Sequence, residues 1–170
     1  MDDSVDEMMR AWASHELDVD LSPLEVVGRL LLCSRRLEDD LVETLAPLGL
    51  SFADFDVLNT LRRRLDPTGT KPGELARSSL ITSGAMSARL DRLENAGLII
   101  RTPDPSDRRG VLVYLTPGGS LLADQALRAV LTCDEAFLHP LNRAQRASAA
   151  TLLKRLLISS EQRRLGRDSG

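Results

Sequence analysis

The sequence predicts a mainly α-helical protein that contains one short β-hairpin. Leu, Ala and Arg are frequent and aromatic residues make up 3% of the 170 residues, a composition that favours helices over β-sandwiches. Apolar residues recur every three or four positions along most of the chain, which is the spacing of an amphipathic helix. The exception lies near residues 99–116, where Pro, Asp and Gly separate two short runs with β character.

The N-terminal part of the chain predicts two amphipathic helices. The first covers residues 3–16, and the second begins at Ser22 and runs to about Ala46. Ser22, Pro23 and Glu25 form the pattern of an N-cap, a first-turn proline and a capping box. The apolar stripes consist of Val5, Met8, Met9 and Trp12 on the first helix and Leu30, Cys33, Leu37, Leu41 and Leu45 on the second.

Three more helices are predicted in the middle of the chain. Ser51 is a suitable N-cap for the first of them, and residues 66–69 form a turn after it. A short helix around residues 74–76 then leads through a turn to a helix over residues 82–96, which Gly97 ends. The apolar side of the helix that Ser51 begins consists of Phe52, Phe55, Leu58, Leu61 and Leu65.

The last third of the chain predicts the hairpin and two long helices. Residues 99–101 and 110–116 form the strands, and a charged loop over residues 103–109 joins them. A helix over residues 117–137 follows, and another begins near Leu141.

Two short helices joined by a tight turn and followed by a hairpin form a winged helix-turn-helix. The second helix of such a pair enters the major groove of DNA. A core-facing row is formed here by Ile81, Met86, Leu90 and Leu93, while small residues on the opposite side let the helix backbone approach the bases. The predicted DNA contacts are Thr82, Ser83, Gly84 and Ser87 on this recognition helix and Arg108 and Arg109 in the wing.

The net charge of −3 hides an uneven distribution. Residues 1–20 carry seven acidic residues and one basic residue, a charge of −6, whereas residues 71–115 carry seven basic and five acidic residues, a charge of +2. Twenty of the 22 basic residues are Arg, whose planar guanidinium suits phosphates, base edges and anions. The middle of the chain is therefore compatible with binding to nucleic acid.

One stretch of the sequence resembles a known family closely. Residues 89–119, RLDRLENAGLIIRTPDPSDRRGVLVYLTPGG, contain the patterns D-R-L-E-x-x-G-L-I, D-x-x-D-R-R and L-T-x-x-G, and these resemble the recognition helix, wing and following helix of the MarR family of transcriptional regulators. The resemblance implies a homodimer that binds a pseudo-palindromic site in double-stranded DNA, usually as a repressor. It divides the chain into an extra N-terminal helix (1–20), a helical dimerisation region (21–50 and 117–165) and a winged helix-turn-helix lobe (51–116).

Four further residues form a candidate ligand site: Trp12, Asp56, Arg89 and Arg101. Arg89 lies on the recognition helix beside apolar neighbours, so it faces inward and needs an anionic or polar partner. An indole, two guanidiniums and one carboxylate suit a small planar anion that has N–H donors. All four positions resemble those of the urate-responsive branch of the MarR family, which implies that a small anion, urate or an aconitate-like acid, relieves repression.

The same residues have a structural interpretation as well. Trp12 would then pack in the dimer core, and Asp56 would pair with Arg89 or Arg101 as a salt bridge. Two other functions stay open at this point. One is an oxidant-sensing regulator of the same fold that uses Cys33, and the other is a winged-helix interaction module that does not bind DNA.

Several classes of protein are disfavoured by the sequence. It has no nucleophile elbow, phosphate-binding loop or pair of catalytic carboxylates in a plausible cleft, so we expect neither an enzyme nor a cofactor. The two cysteines and two histidines are scattered and predict no metal site. No apolar stretch has the length of a membrane-spanning helix, so we expect a soluble cytoplasmic protein.

Overall fold

The computed structural model describes residues 1–15, 18–80 and 86–168. Within these ranges it is mainly helical with one antiparallel hairpin, which confirms the predicted fold class. The helices are α1 (Ser4–Ala13), α2 (Ser22–Leu45), α3 (Phe52–Arg64), α4 (Pro72–Ser78), α5 (Met86–Asn95), α6 (Pro117–Phe137) and α7 (Arg143–Asp168), and the strands are β1 (Ile99–Asp104) and β2 (Asp107–Leu115). Among the described residues, no helix combines the length and the apolar character that crossing a membrane requires.

The hydrophobic core lies in the first of two compact units, Met1–Cys133 and Asp134–Gly170. It fixes α4 and α5, which are too short to be stable as isolated helices. Its buried members include Leu41, Leu45, Phe55, Val57, Leu58, Leu75, Met86, Leu90, Leu93, Ile99, Val113, Ala123 and Ala126. In the second unit, Asn142 and Gln145 form a capping box at the start of α7, with N···O distances of 2.9 and 3.0 Å.

Helix α1 docks on α2 through an apolar contact and an ion pair. Val5 is 2% exposed, and a β-carbon added to Gly28 would come within 3.2 Å of Val5 Cγ2. The Arg29 guanidinium donates to the Asp3 carboxylate at 2.8 Å. Trp12 is 41% exposed, so only the N-terminal end of the predicted stripe on α1 is buried.

The N-cap predicted at Ser22 is wrong, whereas the one at Ser51 is confirmed. Ser22 is the first residue of α2, and Leu21 occupies the N-cap position without a side-chain hydrogen bond. The Ser22 hydroxyl donates instead to the Asp20 carboxylate at 3.0 Å, because a charged acceptor forms the stronger hydrogen bond. Ser51 and Asp54 form a reciprocal capping box at the start of α3.

Three residues that the sequence places in the apolar stripes of α2 and α3 are exposed. Cys33 is exposed on α2, and Leu30 beside it is 43% exposed, so this end of the stripe lies outside the core. Leu65 is the C-cap of α3, has a left-handed φ of 48° and is 71% exposed. Helical spacing identifies an apolar face, but it does not tell whether the same chain covers that face.

The wing is longer than the sequence predicts. β1 and β2 approach each other until only a two-residue turn separates them. The Asp104 carboxylate accepts the Ser106 N–H at 2.8 Å and the Ser106 hydroxyl at 2.7 Å, which closes this turn. The predicted loop over residues 103–109 is therefore mostly strand, and Arg108 and Arg109 lie in β2 rather than at the tip.

The first turn of α6 lies against the chain that leaves α5. The Thr116 hydroxyl donates to the Gly97 carbonyl at 2.8 Å and accepts the Gly119 N–H at 2.9 Å. A β-carbon at Gly119 would lie 1.9 Å from the Leu98 carbonyl oxygen, so only glycine fits without a shift of the backbone. Gly97 has a φ of 69°, the left-handed conformation that commonly ends a helix.

We expect Gly119→Ala to lower the free energy of unfolding by roughly 2–3 kcal/mol, because the added methyl overpacks against the Leu98 carbonyl. Gly118→Ala is the matched control, since a β-carbon there meets only Thr116 Oγ1 at 3.7 Å. That control is expected to be neutral or slightly stabilising, because Ala is the better helix former. Urea unfolding followed by circular dichroism measures both variants, and equal stabilities would contradict the close approach.

Candidate nucleic-acid interface and ligand site

Helix α5, the predicted recognition helix, has one buried and one exposed side. The predicted core row is confirmed for three of its members, with exposures of 7% for Met86, 2% for Leu90 and 3% for Leu93. Ile81, the fourth member, lies outside the described residues. Ser87 and Ala88 are exposed on the other side of the helix. The predicted DNA contacts at residues 82–84 lie outside the described residues.

An ion pair fastens α5 to the start of α3. Arg92 donates to the Asp54 carboxylate at 2.6 Å, and the Asp54 side chain is 9% exposed. Burial alone would raise the pKa of Asp54, but hydrogen bonds from the Ser51 hydroxyl and from Arg92 outweigh it and place the pKa below its ordinary value. The carboxylate is therefore ionised at neutral pH while it joins the two helices.

Arg101, one of the predicted ligand residues, is held by two carboxylates of α5. Its guanidinium lies 2.5 Å from Glu94 and 2.7 Å from Asp91, and its backbone N–H donates to Glu94 at 3.0 Å. Glu94 and, after it, Asp91 raise the pKa of Arg101, and Arg101 in turn lowers the pKa of Glu94. These three residues, which we call the Arg101 clasp, tie β1 to α5.

The other three predicted ligand residues lie on three different helices. Asp56 is 1% exposed on α3 and Arg89 is half-buried on α5, and these two helices pack against each other. Asp56 and Arg89 each have a polar or electrostatic partner. Trp12 lies on α1, where its ring centroid is 5.3 Å from that of His15. The structure thus places Asp56 and Arg89 on neighbouring elements and Trp12 on the helix that docks on α2.

An ion pair also anchors the base of the wing. Lys71, the N-cap residue of α4, lies 2.8 Å from Asp104 Oδ2, and the Asp104 side chain is 3% exposed. Lys71 and, after it, the Ser106 hydroxyl hold the pKa of Asp104 well below its usual range. Beyond this anchor, Arg109 is exposed on β2, and Arg108 precedes it in the same strand.

Three consecutive arginines at the end of α3 contact other parts of the same unit. Arg62 forms a bidentate pair with Asp124 of α6, with distances of 2.9 and 3.1 Å. Arg63 donates to a main-chain carbonyl at the end of α4, and Arg64 pairs with Glu74 of α4 at 2.6 Å. These side chains hold α4 and α6 against α3.

The carboxylates that bind Arg92 and Arg101 were not identified from the sequence. Asp91 and Glu94 are three positions apart on α5, so the two carboxylates share one face, where a nearby cation is favourable. Arg101 is the first basic residue after the helix. This spacing was the feature of the sequence from which the pairing with Arg101 could have been predicted. The pairing of Asp54 with Arg92 spans 38 positions and leaves no local pattern.

The polar side chains around α5 include guanidiniums and carboxylates, which suit anions and hydrogen-bond donors respectively. Both cysteines are free thiols, Cys33 exposed and Cys133 half-buried. In the ranges that the structure describes, no three His, Cys, Asp or Glu side chains are arranged to hold a metal ion.

The chain is similar to transcriptional regulators along most of its length. The sequence profile of the MarR family matches residues 48–110. The chain is 30% identical to the HTH-type transcriptional regulator PecS of Dickeya dadantii over 152 residues, which cover 89% of this chain and 92% of that protein.

Solved structures share the fold. A mutant MarR from Escherichia coli in complex with operator DNA has a TM-score of 0.70 and 32% identity, over 82% of this chain and 99% of that one. Bordetella bronchiseptica BpsR, whose DNA binding is regulated by 6-hydroxynicotinic acid, has a TM-score of 0.69 and 26% identity, over 78% of this chain and 98% of that one.

We expect Arg101→Gln to raise the pKa of Glu94 toward the ordinary range, because the Arg101 guanidinium is the main group that lowers it. A carboxyl group whose pKa is lowered by folding stabilises the protein above its unfolded pKa and loses that contribution as the pH falls. The wild type should therefore lose more stability than the variant when the pH falls below the ordinary pKa of glutamate, about 4.3. Titration of the Glu94 carboxyl by NMR and urea unfolding at several pH values measure the two effects.

The control is Arg109→Gln, which removes an exposed cation from the same hairpin. It should leave the pKa of Glu94 as in the wild type. If Arg101→Gln also leaves that pKa unchanged, the clasp does not form in solution.

Proposed function

Because the chain belongs to the MarR family of transcriptional regulators, we propose that it is a ligand-responsive repressor and not an enzyme. A homodimer binds a pseudo-palindromic operator in double-stranded DNA, and a small anion such as urate releases it. The observation that carries the proposal is the geometry of α5, whose small-residue side is exposed while its opposite side is fixed in the core.

The geometry of α5 and the wing supports DNA binding. Ser87 and Ala88 are exposed, and side chains of this size let a helix approach the base edges in the major groove. Arg109 is exposed on the hairpin that follows, where a cation suits phosphates or the minor groove. Residues 82–84 and Arg108 complete the proposed contacts. The solved complex of a similar chain with operator DNA supports this assignment.

Exposed apolar residues on two helices support a homodimer. Both helices fall in the proposed dimerisation region, residues 21–50 and 117–165. Large apolar side chains left in solvent on the isolated chain are typical of a surface that another chain covers. They are Val26, Val27, Leu30 and Leu31 on α2 and Leu152, Leu153, Leu156 and Leu157 on α7.

The candidate ligand site supports a response to a small planar anion. Asp56 and Arg89 supply a carboxylate and a guanidinium on packed helices, Arg101 supplies a second guanidinium, and Trp12 supplies an indole. Urate is planar, anionic at neutral pH and rich in N–H donors, so it matches these groups. An aconitate-like acid matches the charge but lacks the N–H donors. The regulation of BpsR by 6-hydroxynicotinic acid, another planar ring acid, supports this ligand class.

One observation favours a second candidate, a regulator of the same fold that responds to oxidants. Cys33 is exposed, which an oxidant-sensing thiol requires. Oxidation of Cys33 would then take the place of ligand binding. Two further expectations from the sequence stay predictions. One is the alternative of a winged-helix interaction module that does not bind DNA, and the other is the cytoplasmic location.

We expect the protein to bind a fragment from the region upstream of its own gene, with two protomers on each fragment. The logarithm of the binding constant should fall linearly with the logarithm of the salt concentration, as it does when phosphate contacts release counterions. Ser87→Glu should weaken binding by roughly tenfold or more, because it sets a carboxylate against the DNA. Gel shifts over a range of salt concentrations measure these effects.

The matched control for this substitution is Ser4→Glu. It adds the same charge to an exposed position in the first turn of α1, where a carboxylate suits the helix N-terminus, and it should bind DNA as the wild type does. Absence of binding at low salt, or equal binding by Ser87→Glu and Ser4→Glu, would contradict the proposed interface.

We expect urate to quench Trp12 fluorescence saturably and to release bound DNA over the same concentration range. Arg89→Ala should lose both effects, because the guanidinium that neutralises the anion is gone, while Arg109→Ala should keep the quenching. Absorption by urate is corrected with free N-acetyltryptophanamide. Quenching that does not saturate would exclude urate as the ligand, and a full response by Arg89→Ala would place the site elsewhere.

A further inference from the structure

Most basic side chains of the winged lobe, residues 51–116, have internal partners. The lobe contains ten basic and eight acidic residues. The ion pairs are Arg62 with Asp124, Arg64 with Glu74, Lys71 with Asp104, Arg92 with Asp54, and Arg101 with Asp91 and Glu94. Arg63 donates to a main-chain carbonyl. These cations hold elements of the fold together, and carboxylates balance most of their charge.

Arg77 in the last turn of α4 differs from these cations. It is exposed, and within the described part of the chain its side chain takes part in no ion pair or hydrogen bond. The same face of α4 is open, because a β-carbon at Gly73 would have nothing within 4 Å. Leu80, just beyond the helix, is 81% exposed, whereas Leu75 on the opposite face is 0% exposed. The outer face of α4 therefore presents a guanidinium to solvent.

We propose that Arg77 binds a DNA phosphate, so that the DNA-binding surface extends from α5 and the wing onto the outer face of α4. In the proposed fold α4 is the first helix of the helix-turn-helix, and the first helix of such a pair crosses the DNA backbone. A guanidinium without an internal partner binds phosphate at no loss of an existing ion pair, which is not true of Arg64 or Arg92. The inference rests on the proposed DNA binding and adds to it a contact that lies outside the recognition helix and the wing.

The charges on α5 agree with this extension. Asp91 lies four positions after Ser87, so its carboxylate is on the side of α5 that carries the proposed base contacts. Arg101 lies 2.7 Å from that carboxylate and offsets its repulsion of phosphate. Arg101 therefore adds little net positive charge to the lobe. Among the described residues of the lobe, the cations left to attract phosphate without such partners are Arg77 and Arg109.

The test compares the salt dependence of DNA binding in the wild type, Arg77→Gln, Arg77→Lys and Arg10→Gln. Arg77→Gln should weaken binding roughly tenfold at low salt and reduce the slope of log K against log salt by about one for each bound protomer. Arg77→Lys should keep the slope, because an ammonium also neutralises a phosphate. Arg10→Gln makes the same change of net charge at an exposed position on α1 and should keep the wild-type slope.

The outcomes separate this inference from the proposed function. If the wild type binds DNA and Arg77→Gln keeps its slope, the Arg77 contact is overturned while the regulator remains. If the wild type binds no fragment at low salt, the proposed function itself fails. An equal loss of slope in Arg77→Gln and Arg10→Gln would indicate a general effect of charge and would also overturn the contact. Thermal unfolding of Arg77→Gln should match the wild type, and a large loss of stability would assign Arg77 a structural role instead.

Discussion

The orientation of α5 depends on the close approach between the first turn of α6 and the Leu98 carbonyl. Gly119 permits this approach, because any β-carbon would meet that oxygen at 1.9 Å. Thr116 adds hydrogen bonds to the Gly97 and Leu98 carbonyls at 2.8 and 3.2 Å. The end of α5, the start of β1 and the start of α6 therefore meet at one point. This meeting point is a physical reason for the L-T-x-x-G pattern. The pattern stabilises the fold and is not itself a direct contact with DNA.

Three ion pairs extend this attachment along α5. Arg92 joins the helix to Asp54 at the start of α3, and the Arg101 clasp joins it to β1. Because α5 is bound to the core on one side and to the first wing strand on the other, a rotation of α5 must either carry the wing with it or break the clasp. In the proposed regulator the helix that reads bases and the hairpin that touches the backbone are thus mechanically coupled.

The sequence predicted the parts of this structure that depend on local spacing. The N-cap at Ser51, the core row on α5 and the glycine that ends α5 all follow from patterns a few residues long. The sequence-based prediction failed where a distant or competing group determines the local hydrogen bonds. One example is Ser22, whose hydroxyl donates to the Asp20 carboxylate. The partners of Arg92 and Arg101 depend on how helices and strands pack. The exposure of Cys33 could not be read from periodicity, because an apolar stripe looks the same whether its own chain or another chain covers it.

The Arg101 clasp also bears on how an anion would act at the proposed ligand site. Arg101 already faces two carboxylates, so the local charge of the clasp is −1 and an approaching anion is repelled unless Glu94 or Asp91 withdraws. Arg89 on the inner side of α5 is not part of this clasp and has a polar or electrostatic partner of its own. An anion that binds Arg101 in the proposed site would displace the carboxylates of α5, and that displacement would break the Arg101 clasp between α5 and β1. Occupancy of the site and release of the wing would then be linked, because the anion and the carboxylates compete for one guanidinium. This competition would give the anion different binding free energies in the two states, as any allosteric ligand requires.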